Sequence, residues 1–298
     1  HALDSELATI NLNPAVSYEP IDGVALGAGV QAQYVTAELS RAIDFGGIGN
    51  FAGLGTTPGN PALDGRAEIE GDDWGFGFNV GVLLEPREGT RIGAAYRSEI
   101  EHELDGDANF SGGGNVRATV AQQTGQFQDT GASADLTTPD SVSVGVFQEV
   151  TPKLAVMGEF QYTFWSDFQE LRVEFDNPVQ GDSVTEEDWN DSFFVAAGAR
   201  YDVTESLRLR AGAAFDQSPI PDDTRTPRIP ANDRTWLSLG ANYAPFSWFS
   251  VNAAYTHLFV EPGDIDLAAN GPQDFRGDFS ANVKNTVDVV TVGATLRF

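Results

Sequence analysis

Four arginines stand among apolar neighbours at alternate-residue spacing. Arg208 and Arg210 lie between Leu207, Leu209 and Ala211; Arg97 follows Tyr96; Arg200 precedes Tyr201. In an extended chain, residues two apart share a face, so each guanidinium points away from its apolar neighbours. A guanidinium stays charged and grips a carboxylate through paired N–H groups. These residues could therefore recognise an anionic head, or form an ion-pair ladder with Glu99, Glu159 and Asp202. A second group is apolar. Ile43, Phe45, Ile48, Phe51 and Leu54 cluster in the stretch 40–66, and Phe110 stands in a later one. Such a cluster in a link facing water offers a landing surface for a hydrophobic ligand, or a lid packed on neighbouring loops.

Catalysis has no comparable set. His1, His102 and His257 are far apart and lack metal-ligand spacing. His102, between Glu101 and Glu103, reads as a strand-end residue, and His257 as a residue near a membrane interface. The stretch SGGGN at 111–115 reads as a flexible tip rather than a phosphate-cradling strand-to-helix turn. No catalytic residue, metal ligand or cofactor is assigned.

The elements that must position these groups are strands. Period-two alternation recurs along the chain. Val24, Leu26, Ala28 and Val30 oppose Gly27, Gly29 and Gln31. Trp74, Phe76, Phe78, Val80 and Val82 oppose Gly75, Gly77, Asn79 and Gly81. Leu237, Leu239, Ala241 and Tyr243 oppose Ser238, Gly240 and Asn242. About eleven such runs occur. Short turns at 20–23, 85–89, 150–153, 202–206 and 244–247 alternate with long links at 40–66, 105–131, 176–190, 219–232 and 262–280. Antiparallel strands then place every short turn at one end and every long link at the other, the layout of an outer-membrane barrel.

That layout accounts for the arginines. If lipid wraps the outside, the apolar face needs no protein partner, and the polar face lines a lumen where charges meet water or each other. Tyr18, Tyr34, Trp74, Tyr96, Trp165, Tyr201, Tyr243, Trp248 and Tyr255 would form interfacial girdles. No uninterrupted apolar run approaches the ~18 residues of a spanning helix, which leaves a barrel open. With 44 acidic against 17 basic residues and a net charge of −27, nucleic acid is excluded as a partner. The acidity suits solvated loops or a surface near divalent cations and lipopolysaccharide. The absence of cysteine suits an envelope protein.

An odd strand count conflicts with the even number usual for bacterial barrels. A chain ending on the periplasmic side would then lack an odd number of upstream strands.

The stretches INLNPAVSYEPIDGVALGAGVQAQY, GDDWGFGFNVGVLLEPREGTRIGAAYRSEIEHEL and AGAAFDQSP…RIPANDRTWLSLG resemble the outer-membrane long-chain fatty acid transporter family, the FadL/TodX type. The resemblance covers nearly the whole chain, and the last stretch is its most specific part. It implies a single transmembrane antiparallel β-barrel domain over residues 1–298, with about fourteen strands in the family and about eleven present here. An N-terminal hatch and the first strands would be missing. It also implies a monomer that passively takes up long-chain fatty acids or aromatic hydrocarbons, from an extracellular apolar groove to a lumen site and out sideways into the bilayer. Ile43, Phe45, Ile48, Phe51, Leu54 and Phe110 would be the groove. Arg97, Arg200, Arg208 and Arg210 would be the luminal cations. The family's extracellular lysine has no counterpart here: no Lys or Arg occurs from Asn177 to Asp191, before WNDSF. That departure leaves room for an uncharged substrate. A general water-filled porin is the alternative reading, followed by a lipid-acting barrel enzyme.

Overall fold

The computed structural model describes residues 2–268 and 277–297; His1, one of the three histidines, and Phe298 lie outside them. Sixteen strands form one sheet, and two more form a separate hairpin. In chain order they are β1 (Ala2–Leu12), β2 (Ala15–Ile21), β3 (Val24–Asp44), β4 (Asp64–Arg87), β5 (Thr90–Arg97), β6 (Ile100–Gly112), β7 (Thr130–Thr138), β8 (Ser141–Thr151) and β9 (Leu154–Thr163). Then follow β10 (Glu170–Phe175), β11 (Ser183–Glu186), β12 (Ser192–Asp202), β13 (Leu207–Asp216), β14 (Arg234–Phe246), β15 (Phe249–Val260), the hairpin β16 (Gly263–Leu267) and β17 (Phe279–Val283), and β18 (Thr286–Leu296). Two helices, α1 (Phe45–Phe51) and α2 (Gly114–Thr124), sit in the long links after β3 and β6.

Ten of the sixteen strands continue one another in pairs: β1 with β2, β5 with β6, β7 with β8, β9 with β10, β11 with β12. The sheet therefore has eleven staves, one for each run of alternation. Every ladder is antiparallel between staves adjacent in sequence. The break between β1 and β2 falls at Asn13–Pro14, where proline has no N–H to give the ladder. No ladder joins β18 to β1 or β2 among the described residues.

The sheet is one layer with its apolar side outward. Phe76, Leu239, Val290 and Val292 are between 65% and 73% exposed, and Phe78 and Leu209 are exposed with them. Val251 is half-buried on the same face. An apolar wall of this extent is unsustainable in water and fits a hydrocarbon surround. Tyr18, Tyr243 and Trp248 stand exposed at the short-turn end. Tyr34 and Trp74 meet at 5.2 Å higher up the wall. Trp165 is not a girdle residue. It lies in a 3-10 turn at 165–167, against Trp189 at 4.8 Å, because the stave breaks there between β9 and β10.

The staves also run further than the alternation of apolar residues suggested. β3 reaches Asp44, β4 starts at Asp64, and β6 runs from Ile100 to Gly112, into the expected long link 105–131. The cause is an inversion of the pattern. In the upper parts of β3, β4 and β6, the outward positions carry Glu38, Glu68, Glu70, Asp72, Glu101, Glu103, Asp105 and Asp107. The inward ones carry Val35, Ile43, Ala67, Ile100, Leu104, Ala108 and Phe110, all buried. Beyond the lipid band, water replaces hydrocarbon outside, so the apolar set turns inward. The main buried apolar cluster is accordingly at this extracellular end, not in the band.

Candidate functional site

The extracellular extension buries an apolar core, the chamber core. It consists of Ile43, Phe45, Ala67, Ala108, Phe110, Ala132 and Val173, with Ile48, Ile69, Val116, Phe127, Ala134 and Phe175 packed against it. Phe45 is its centre. Asp44 ends β3 and caps α1: one carboxylate oxygen accepts the Gly47 N–H and the other the Gly59 N–H, each at 2.9 Å. That turn drops Phe45 into the interior, fully buried. Its ring lies against two glycines. A Cβ on Gly65 would come within 2.4 Å of the ring and one on Gly113 within 2.3 Å, and Gly113 also has φ +66°. Phe127 meets Phe45 edge-on at 5.2 Å and Phe110 edge-on at 5.8 Å, while Phe110 lies 6.1 Å from Phe175.

The expected landing residues thus divide. Ile43, Phe45 and Phe110 are buried rather than water-facing, because Phe127, from the link after α2, and Phe175, from the end of β10, pack against them. Ile48 and Leu54 are half-buried, and Phe51 is 65% exposed. The stretch SGGGN is not a flexible tip. Gly112, Gly113 and Gly114 take positive φ and turn β6 directly into α2.

Below the apolar core, two cations enter the chamber. Arg41 and Arg228 line a narrow cleft with Leu39, Ile69, Leu171 and Val173. Arg41 donates to Ser183 Oγ at 2.9 Å, and Arg228 donates to Ser5 Oγ at 2.7 Å. Sequence reasoning missed both. Arg41 was legible: Val35, Leu39, Arg41 and Ile43 keep one parity along β3. Arg228 lies in the proline-rich link, which has no periodicity to read. Residues 177–191 carry no Lys or Arg; the cations of this cleft come from β3 and from the proline-rich link. Burial lowers the Arg228 pKa, against the pull of Glu187. Burial raises the Glu187 pKa, partly offset by the Trp189 indole N–H, which donates to it at 3.0 Å, and by the Arg228 charge.

His102 is not at a strand end. It lies inside β6 with its ring buried beneath the chamber, because the upper β6 alternation points it inward. Its Nε2 is 3.0 Å from Gln33 Oε1 and its Nδ1 is 3.3 Å from Asp73 Oδ2. His257 points outward on β15, with Nδ1 2.7 Å from Asp288 Oδ1. Among the described residues, no group of three or more His, Cys, Asp or Glu could hold a metal ion.

The luminal arginines face inward as their spacing requires. Arg91, Arg200, Arg208 and Arg210 line one large cavity in the short-turn half of the lumen. Arg97 lines a neighbouring polar stretch with Asn13, Asn79, Ser141, Ser143 and Gln161. The ladder is partly formed. Asp202 takes Arg208 with both oxygens, and Glu149 accepts from Arg200 Nη2 at 3.1 Å. Phe147 lies between Arg91 at 4.6 Å and Arg200 at 5.2 Å.

A family model described as outer membrane protein transport protein (OMPP1/FadL/TodX) matches residues 1–298. The long-chain fatty acid transport protein of Escherichia coli O6:H1 is 32% identical over 267 residues, which are 85% of this chain and 60% of that protein. The chain spans about 60% of the length of the curated relatives it matches. The crystal structure of a Pseudomonas aeruginosa FadL homologue superposes with a TM-score of 0.87 at 26% identity, covering 99% of this chain and 69% of that one. The Pseudomonas putida toluene transporter TodX shares the fold with a TM-score of 0.63 at 17% identity, covering 99% and 70%.

Proposed function

The chain belongs to the outer membrane protein transport protein family (OMPP1/FadL/TodX), whose members are bacterial outer-membrane proteins, and from that premise we propose that it passively takes up long-chain fatty acids or other hydrophobic molecules across that membrane. The observation that carries this reading is the stacking of two unlike compartments. A packed aromatic cluster, centred on Phe45 and Phe110, stands at one end of a lipid-facing wall, and a cavity that receives four arginines lies at the other. A sugar channel has no use for an apolar cluster at its mouth. A hydrophobic solute gains by leaving water there, at roughly 25 cal/mol per Å² of apolar surface.

On this reading Phe51 and Leu54 make first contact. Ile48 follows, and the packed apolar cluster of Ile43, Phe45 and Phe110 opens to admit the chain. Arg41 and Arg228 meet a charged head at the chamber floor, and Arg97, Arg200, Arg208 and Arg210 line the way down. Diffusion down a gradient needs no energy cofactor. The protein works as a monomer among outer-membrane lipid and lipopolysaccharide.

Proteoliposomes test the reading. Uptake of oleate without swelling in small sugars is the expected result. Swelling in sugars without oleate uptake identifies a general porin instead.

A further inference from the structure

Four neighbouring staves break at one level. Arg97 ends β5, and Ser141 opens β8 directly opposite it. Thr163 ends β9 opposite both Ser141 and Ser192, and Ser192 opens β12. Above that row the chain continues as β6, β7, β10 and β11, laddered to one another in that order. The joints are the short stretches 98–99, 139–140, 164–169 and 187–191. β3 and β4 have no such joint, for their common ladder runs unbroken from Val24 to Asp44. The extracellular extension therefore has two parts. A post of β3, β4 and α1 is continuous with the wall, and a jointed panel carries β6, α2, β7, β10 and β11.

The aromatic cluster is divided between them. Ile43 and Phe45 belong to the post. Phe110, Val173 and Phe127, the last from the link after α2, belong to the panel. The two seams between post and panel are unequal. On one side β4 and β6 share a backbone ladder, from Gly65 opposite Gly112 to Asp72 opposite Asp105. On the other, no ladder joins β11 to β3 among the described residues. Side chains hold that seam. Arg41 of β3 donates to Ser183 Oγ of β11 at 2.9 Å. The proline-rich link crosses the same place. Thr224 donates to the Glu187 carbonyl, just past β11, at 2.6 Å, and Arg228 donates to Ser5 Oγ of β1 at 2.7 Å. Parting this seam exchanges side-chain hydrogen bonds for water, whereas parting the other strips a backbone ladder.

Resting on the uptake reading above, we propose that the panel is the moving part of the extracellular entrance. It swings on the β4–β6 ladder, the joints absorb the rotation, and the seam between Arg41 and Ser183 parts. Phe110, Phe127 and Val173 leave Phe45 together, so the cluster opens as a unit and cargo enters from the β3–β11 side.

The chain has no cysteine, so paired cysteines can lock either seam. R41C/S183C, bridged by a short bifunctional thiosulfonate, locks the opening. E68C/N109C, a directly opposed pair on β4 and β6, locks the hinge. Heat-modifiable migration checks that each variant keeps its barrel. In proteoliposomes, bridging R41C/S183C should lower oleate uptake about tenfold, as a locked lid does, and reducing the bridge should restore it. Bridging E68C/N109C should leave uptake unchanged. Nitroxides on A42C/V184C, across the opening seam, should show a longer distance population once oleate is added. An R41C/S183C bridge that leaves uptake intact, or two bridges that lower it equally, overturns the panel while the uptake reading stands. Wild-type protein that carries no oleate ends the uptake reading. The A42C/V184C distances then decide the panel by themselves, and a distribution that oleate leaves unchanged overturns it.

Discussion

Phe45 meets Phe127 edge-on, with ring centroids 5.2 Å apart, and so joins the link after β3 to the link after α2. The contact makes the extracellular chamber a packed core rather than an open groove. On the proposed uptake path, hydrophobic cargo displaces it.

Truncating that contact separates packing from passage. Phe45→Ala removes a fully buried ring and should cost about 3–5 kcal/mol within the extracellular extension. Limited proteolysis of the 45–63 link should accelerate, while heat-modifiable migration of the barrel persists. A link as protease-resistant as wild type contradicts the packing account.

Phe51→Ser isolates first contact. Phe51 is 65% exposed, so the change should leave the melting temperature within about 1 °C, as surface changes do. Uptake at low ligand concentration should fall several-fold and recover at saturation. Equal uptake at every concentration argues that ligand lands elsewhere.

Glu187 supplies a pH dependence. Burial raises its pKa above the ordinary carboxylate value, even with Trp189 and Arg228 favouring the charged form. The folded state therefore prefers the neutral acid. This contribution is full below the ordinary carboxylate pKa and is lost as pH rises through the raised one. Glu187→Gln should melt higher than wild type at pH 8, and the difference should close below about pH 4. A difference that widens in acid contradicts the assignment.

Arg225 pins the proline-rich link. Its side chain is 1% exposed and donates to Ala231 O at 3.1 Å and Asp264 O at 3.0 Å, and it pairs with Asp222 at 2.7 Å. Arg225→Ala orphans those carbonyls and should cost about 2–4 kcal/mol locally. Protease cleavage between residues 217 and 233 should appear while the staves stay folded. Arg225→Lys should rescue only part, since an ammonium lacks the planar fork.

The staves were legible because one rule governs each of them. Val24 to Tyr34, Trp74 to Leu84 and Leu237 to Tyr243 alternate in the same sense, and each run became a stave. The extension was not legible by that rule, because above Tyr34 and Trp74 the outside is water and the sense reverses. Asp105 and Asp107 fall in the expected long link 105–131, yet with Glu101 and Glu103 they are the outward face of β6. Phe127 and Phe175 escaped notice because the chamber is closed by contacts distant in sequence, which no local spacing encodes. The luminal arginines were placed by parity alone. Their division into paired Arg208 and less satisfied Arg210 needed the positions of Asp202 and Glu149.

The inside-out wall is the claim on which everything else depends, and cysteine scanning along β13 and β14 tests it most directly. The chain has no cysteine of its own, so single cysteines can carry a nitroxide label in the bilayer. Labels at Leu209, Ala211, Leu237 and Leu239 should be relaxed by membrane-dissolved oxygen. Labels at Arg208, Arg210, Ser238 and Gly240 should be relaxed by a water-soluble nickel chelate, in strict period two. Oxygen and nickel accessibilities that rise and fall together, or exchange these two sets, would contradict it.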